Sequence, residues 1–200
     1  MNGMNSVCVY CGSATGHDPR FAAAADELGT ALARAEITLV YGGGSLGLMG
    51  RIAHKVLQEG GHVVGVIPRF LHDREVMLTD VTELIVTEDM HERKRLMFER
   101  ADGFVALPGG IGTLEEVVEM MTWSQLGRHE KPIVLANVAD FWSPLNAIIN
   151  HMVDAGFIRP GWDVSYDVVD TISEVVPMLT ERHEALAEER TPKEATLRRM

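Results

Sequence analysis

The segment Leu107-Pro108-Gly109-Gly110-Ile111-Gly112-Thr113-Leu114-Glu115-Glu116 carries the residue types most suited to chemistry on a phosphorylated small molecule. It joins the apolar run Phe104–Leu107 to an amphipathic run through a glycine-rich turn. Small residues let backbone N–H groups approach an anion closely, and the start of a helix adds a favourable dipole. Carboxylates beside a phosphate repel it, so Glu115 and Glu116 fit a reaction on whatever the phosphate is attached to better than they fit phosphate binding. A second reading uses the same residues. Thr113-x-x-Glu116 matches a capping box, in which Thr113 caps the helix and Glu116 reaches back to the cap N–H. A capping box does not require Pro-Gly-Gly-x-Gly ahead of it, yet residue types alone leave both readings open.

Asp89-Met90-His91-Glu92-Arg93-Lys94 is the next constellation. Asp89 with Glu92 reads as a capping box, which starts a helix at Met90 and places Arg93 and Lys94 near its first turn. Cations there oppose the helix dipole, so a compensating anion is required. Asp89 and Glu92 could supply it within a solvated face. In the functional reading, Arg93 and Lys94 instead face the same phosphate or base as the glycine turn. Gly42, Gly44 and Gly47 satisfy G-x-G-x-x-G. The dinucleotide fingerprint also wants an acid at the end of the following strand, and that strand ends in Ile67-Pro68-Arg69. No Gly-Lys-Ser/Thr follows, which excludes a P-loop. Ser13, after Cys11-Gly12, could donate to a phosphate or simply start a turn. His54 and His62 are isolated, and no His, Asp or Glu group has metal-ligand spacing. Met120, Met121 and Trp123 at helical spacing read as core or subunit contact.

The two cysteines, Cys8 and Cys11, spell C-x-x-C, but Cys8 lies within a strand-like run. An offset of three residues along a strand points side chains to opposite faces, so the pair reads as small buried residues, not a redox motif. The net charge of −11 disfavours long polyanions such as DNA or RNA. A small nucleotide remains compatible, because local donors outweigh the global field. No apolar run approaches the roughly 20 residues of a membrane span, and the first residues do not read as a signal peptide, so a cytoplasmic protein is expected.

The elements that must position these residues alternate along the chain. Strands are expected at Ser6–Tyr10, Thr38–Tyr41, His62–Ile67, Glu83–Val86, Gly103–Leu107, Pro132–Ala136 and Ser165–Val169. Helices are expected near Arg20–Arg34, Leu48–Glu59, Met90–Arg100, Leu114–Leu126 and Ser143–Ala155, with a last one from about Ser173. Such alternation argues for a Rossmann-like, doubly wound α/β fold: a mainly parallel sheet of about seven strands with helices on both faces. Residues 1–180 would form one nucleotide-binding catalytic domain and residues 181–200 a charged tail, a frayed helix without chemistry. Ligands of these sheets bind beyond the carboxyl ends of the strands, where the glycine clusters at Gly12, Gly42–Gly44 and Gly109–Gly112 fall.

On these motifs the chain resembles the LONELY GUY (LOG) family of cytokinin-activating phosphoribohydrolases, often mislabelled as lysine decarboxylases. The resemblance runs from about Ser6 to Leu179. It rests on Pro108–Glu116 against the family's P-G-G-x-G-T-x-x-E, supported by Met90–Lys94, Gly42–Gly50 and Thr122–Pro132. It implies hydrolysis of the N-glycosidic bond of an N6-substituted adenosine 5'-monophosphate to the free cytokinin base and ribose 5-phosphate. It also implies that Arg93 and Glu116 are the catalytic pair, that Gly109, Gly110, Gly112 and Thr113 hold the 5'-phosphate, and that Ser13, Gly43 and Lys94 contribute to substrate binding. No metal or cofactor is implied, and the segment Thr122–Pro132 resembles that of homodimeric members. Ser13-Ala14-Thr15 departs from the serine run of many relatives. None of Lys55, Lys94, Lys131 or Lys193 sits in a cofactor motif that a lysine decarboxylase would need. The alternatives are a nucleosidase without preference for an N6 group and a non-catalytic nucleotide or cofactor carrier.

Overall fold

Strand β1 (Ser6–Tyr10) shows how the chain builds its centre. Val7 and Val9, with Cys11 just beyond them, enter one core cluster, while Cys8 and Tyr10 enter another on the opposite face. A strand covered on both faces is apolar at every position instead of alternating. The cysteines therefore lie on opposite faces as free, buried thiols, and burial pushes both above their ordinary ionisation range.

The computed structural model describes residues 3–72 and 78–197. After β1 come α1 (Pro19–Arg34), β2 (Thr38–Tyr41), α2 (Gly47–Gln58), β3 (Val63–Pro68), α3 (Arg69–His72), β4 (Glu83–Thr87) and α4 (Met90–Glu99). Then follow β5 (Gly103–Ala106), α5 (Ile111–Gln125), β6 (Ile133–Ala136), α6 (Ser143–Asp154), β7 (Asp167–Val169) and α7 (Val175–Leu197). The seven strands form one sheet in the order β4-β3-β2-β1-β5-β6-β7, and every pairing is parallel. Helices α1, α2 and α7 pack on the face of Val7 and Val9; α4, α5 and α6 cover the face of Cys8 and Tyr10. Strand order reverses between β1 and β5, the switch point at which α/β sheets open a crevice. No described helix is long and apolar enough to cross a membrane.

The expected elements are present, with shifts at their ends. Strand β7 begins two residues later than expected, and the charged stretch from Glu181 continues α7 as far as Leu197. The shift that matters is in α5, which begins at Ile111, three residues before Leu114.

Backbone hydrogen bonds lace the loops at the carboxyl edge together. Gly12 N donates to Pro108 O at 3.1 Å, while Gly12 O accepts from Leu48 N at 3.0 Å and Met49 N at 3.3 Å. The turns after β1, β2 and β5 are thus held to one another by main chain. Gly47 closes this lacing at φ +62°, and a Cβ there would overlap the Ser13 and Ala14 backbone. Gly47→Ala is expected to lower stability by about 3 kcal/mol, from both a left-handed backbone and overpacking against main chain that cannot yield. Urea denaturation checks this; a loss under about 1 kcal/mol would mean that the loops are not rigidly joined.

Candidate active site

Helix α5 is where β5 delivers the glycine turn. Gly110 is its N-cap, with no side-chain hydrogen bond at the cap. Thr113 is therefore the third helical residue and Glu116 the sixth, beyond the reach of a capping box. The capping-box reading of Thr113 and Glu116 fails because the helix starts at Ile111. Instead the first turn presents backbone N–H groups with no intrahelical or side-chain acceptor among the described residues, the arrangement that receives an anion. Space is open beside Gly110 and Gly112. Thr113 is buried, with its hydroxyl against Gly109. It supports the turn from behind.

Helix α4 carries the cations. Asp89 caps it as expected, accepting from Glu92 N at 2.8 Å, and the helix starts at Met90. Glu92 reaches back to Glu88 N, also at 2.8 Å, one residue before the cap. Among the described residues neither acid pairs with Arg93 or Lys94, whose acidic partners come from α5. Arg93 Nη2 lies 3.5 Å from Glu116 Oε1, and Nη1 donates to Met90 Sδ at 3.4 Å. Arg93 Nε is buried without a partner among the described residues. Lys94 Nζ meets Glu115 Oε1 at 2.6 Å and Glu119 Oε1 at 3.1 Å. Its ammonium is thus engaged between two carboxylates in this structure.

The seat of the Arg93 side chain is Gly42. A Cβ there would overlap the guanidinium, so the end of β2 must be bare for the cation to lie over it. Gly43, expected near the phosphate, is buried; it packs toward Ile67 and its carbonyl accepts from Leu78 N at 3.3 Å. Ser13 is exposed in the loop after β1, where it shares a cleft with Gly109, Gly110, Phe21, Leu48 and Phe141. That cleft opens toward the α1 and α2 layer, whereas Arg93 and Glu116 belong to the α4 and α5 layer. The candidate residues therefore straddle the carboxyl edge at the β1/β5 switch point.

Glu116 has the electrostatics of a working acid–base group. Its side chain is 14% exposed, and no hydrogen bond from the described residues holds its carboxylate. Desolvation pushes its pKa from the ordinary 4.5 up to about 7, against the pull of Arg93 and Lys94 and with the push of Glu115 and Glu119. A carboxyl group that ionises near neutral pH, on the helix whose first turn is uncapped, is suited to accepting a proton. Gly42 and Glu119 were the residues that motif reading did not assign to the site. The signal for Glu119 was its i, i+4 spacing from Glu115, which puts both acids on one helix face.

The chain is also similar to known proteins. Residues 49–179 match a family model described as "Possible lysine decarboxylase". A cytokinin riboside 5'-monophosphate phosphoribohydrolase of Arabidopsis thaliana is 49% identical over 154 residues, covering 77% of this chain and 72% of the relative. The phosphoribohydrolase LOG of Oryza sativa subsp. japonica is 52% identical over 152 residues, 76% of this chain and 63% of the relative. Among solved structures, a molybdenum cofactor binding protein from Rippkaea orientalis superposes with a TM-score of 0.69 at 18% identity, over 90% of this chain and 98% of its own. The Moco carrier protein of Chlamydomonas reinhardtii gives 0.68 at 22% identity, over 92% and 98%. These two share the fold. With nearly half of its residues identical to the plant enzymes over three quarters of its length, the chain belongs to the LOG family of cytokinin riboside 5'-monophosphate phosphoribohydrolases.

Proposed function

We propose that the protein hydrolyses the N-glycosidic bond of N6-substituted adenosine 5'-monophosphates, releasing free cytokinin base and ribose 5-phosphate. The observation that carries this reading is the buried Arg93–Glu116 pair beside an uncapped, glycine-lined helix start. The names of the plant relatives supply the substrate class. In this reading the open N–H groups at Gly110, Ile111 and Gly112 take the 5'-phosphate, with Ser13 at the rim. Cleavage of the ribosyl–base bond builds positive charge on the sugar, as in glycosidases. The Glu116 carboxylate stabilises that charge and takes a proton from the attacking water, whose oxygen bonds to the anomeric carbon as the purine leaves. Arg93, with an unused Nε–H, polarises the departing base or fixes the phosphate. Binding energy from the phosphate serves to orient the sugar at the carboxylate.

We also infer a homodimer. Helix α6 has no buried residue, and Ile148, Met152 and Val153 on it are exposed, followed by Phe157, 85% exposed, and Trp162. An apolar surface of this extent is unfavourable in water and fits a second copy of the chain.

Outcomes of three kinds are expected, the first in turnover. Incubation with N6-isopentenyladenosine monophosphate releases the free base, faster than plain AMP releases adenine; equal rates would indicate a general nucleosidase, and bound nucleotide with no base released a carrier. Glu116→Gln folds but loses turnover by about 100-fold or more, and wild-type kcat/KM falls as pH drops below about 7. Retained activity would return Glu116 to a structural role.

The second outcome concerns stability. Because the folded-state pKa of Glu116 is raised, its contribution is fully present below about 4.5 and is lost as pH rises through about 7. Glu116→Gln removes that loss, so its stability relative to wild type grows from near zero at pH 4 to about 3 kcal/mol at pH 8. Urea denaturation across this range measures it, and a pH-independent difference would contradict it. Third, sedimentation gives a dimer for the wild type and a monomer for Met152→Lys/Val153→Lys. A wild-type monomer would overturn the assembly.

A further inference from the structure

Glu116 and Arg93 each have a sequence neighbour in a second cross-link between the same two helices. Lys94 follows Arg93 on α4, and its Nζ reaches Glu115 Oε1 at 2.6 Å and Glu119 Oε1 at 3.1 Å on α5, one residue before Glu116 and three after it. The Lys94 side chain is 15% exposed and that of Glu119 24%, against 55% for Glu115, so the Glu119 arm of the bridge is the better shielded from solvent screening. The neighbouring pair is looser: Arg93 and Glu116 stand 3.5 Å apart with no hydrogen bond between them. Nothing else among the described residues ties the Glu116 carboxylate in place.

We propose that Lys94 is a positioning residue, whose bridge to Glu115 and Glu119 sets α4 against α5 and so holds the Arg93–Glu116 gap open for substrate. The proposal rests on the reading that Glu116 acts in base release, but it assigns Lys94 to the acids of α5 and not to the phosphate. The bridge also has an electrostatic consequence. The charged groups facing Glu116 are Arg93 and Lys94 from α4 and Glu115 and Glu119 from α5. From β1 and the residue after it come Cys8, Tyr10 and Cys11, all pushed by burial far above neutral and hence uncharged. Lys94 is thus the cation that offsets Glu115 and Glu119. Without it two uncompensated carboxylates flank Glu116 and make it harder to ionise. One oxygen of Glu119, Oε2, is already buried without a partner among the described residues, so this acid has no second cation to turn to.

The test compares Lys94→Met, Lys94→Arg and Lys94→Met/Glu119→Gln with wild type. Lys94→Met is expected to lower kcat about 10-fold at pH 7 with KM changed less than about threefold, and to move the acid limb of kcat/KM up by about one pH unit. Lys94→Arg keeps most of the rate, and adding Glu119→Gln to Lys94→Met returns the limb toward its wild-type position. A KM raised 10-fold with kcat and the acid limb unchanged would place Lys94 on the substrate and overturn the proposal; so would no change at all. An activity-free arm uses urea denaturation to compare Lys94→Met with Lys94→Met/Glu116→Gln. The stability gap between them should level off at a higher pH, and at a larger value, than the gap between wild type and Glu116→Gln, and an unchanged plateau overturns the proposal. If the wild type releases no base, the functional reading fails, while this arm still reports on Lys94.

Discussion

A guanidinium and a carboxylate buried side by side, neither fully hydrogen-bonded, are the constraint on which this site depends. Moving two charges out of water is costly, and their attraction offsets that cost only with close geometry and further hydrogen bonds. Arg93 and Glu116 fall short of both: their nearest atoms are 3.5 Å apart, Arg93 donates to Met90 Sδ but its Nε is unpartnered among the described residues, and the carboxylate is driven toward protonation. Such an arrangement is poor as a stabilising device and well suited to a site that a polar ligand completes. The rest of the α4–α5 seam compensates. Asp89 caps α4, Lys94 ties the helices together, and Met97, Val117 and Met120 bury the apolar surface beneath them.

The geometry of that pair is inherited from the sheet. Arg93 lies over the end of β2 because Gly42 leaves room for it, and Glu116 follows β5 through a turn bonded to the loop after β1. Main-chain hydrogen bonds at Gly12 link all three turns, which fixes the glycine turn before Glu116 against the loops after β1 and β2. Loops without such links are the most mobile parts of a fold. Here the functional loops lie at the switch point of an all-parallel sheet, where both neighbouring strands are internal and buried on both faces.

The same sheet serves proteins of other kinds. The molybdenum cofactor binding protein and the Moco carrier protein superpose closely at 18% and 22% identity, which reports shared architecture. Function resides in the groups grafted onto the edge.

The order and type of the elements were legible in the sequence, because strands buried on both faces read as short apolar runs and the helices between them are amphipathic. Cys8 and Cys11 could be assigned to opposite faces for the same reason, since strand periodicity is local. The choice between capping box and active site at Thr113 and Glu116 was not legible. It depended on whether the helix began at Ile111 or Leu114, a matter of three residues that propensity does not resolve and that the docking of Pro108 against Gly12 decides. The partners of Arg93 and Lys94 were equally hidden: local charges offered Asp89 and Glu92, whereas packing of α4 on α5 brought Glu115, Glu116 and Glu119 from more than twenty residues away. Sequence alone therefore determined the α/β alternation, the glycine turns and the supply of acids and cations. Only the tertiary structure decided which acid meets which cation and how far Glu116 is removed from water, because charge pairing and desolvation depend on distance through space and not along the chain.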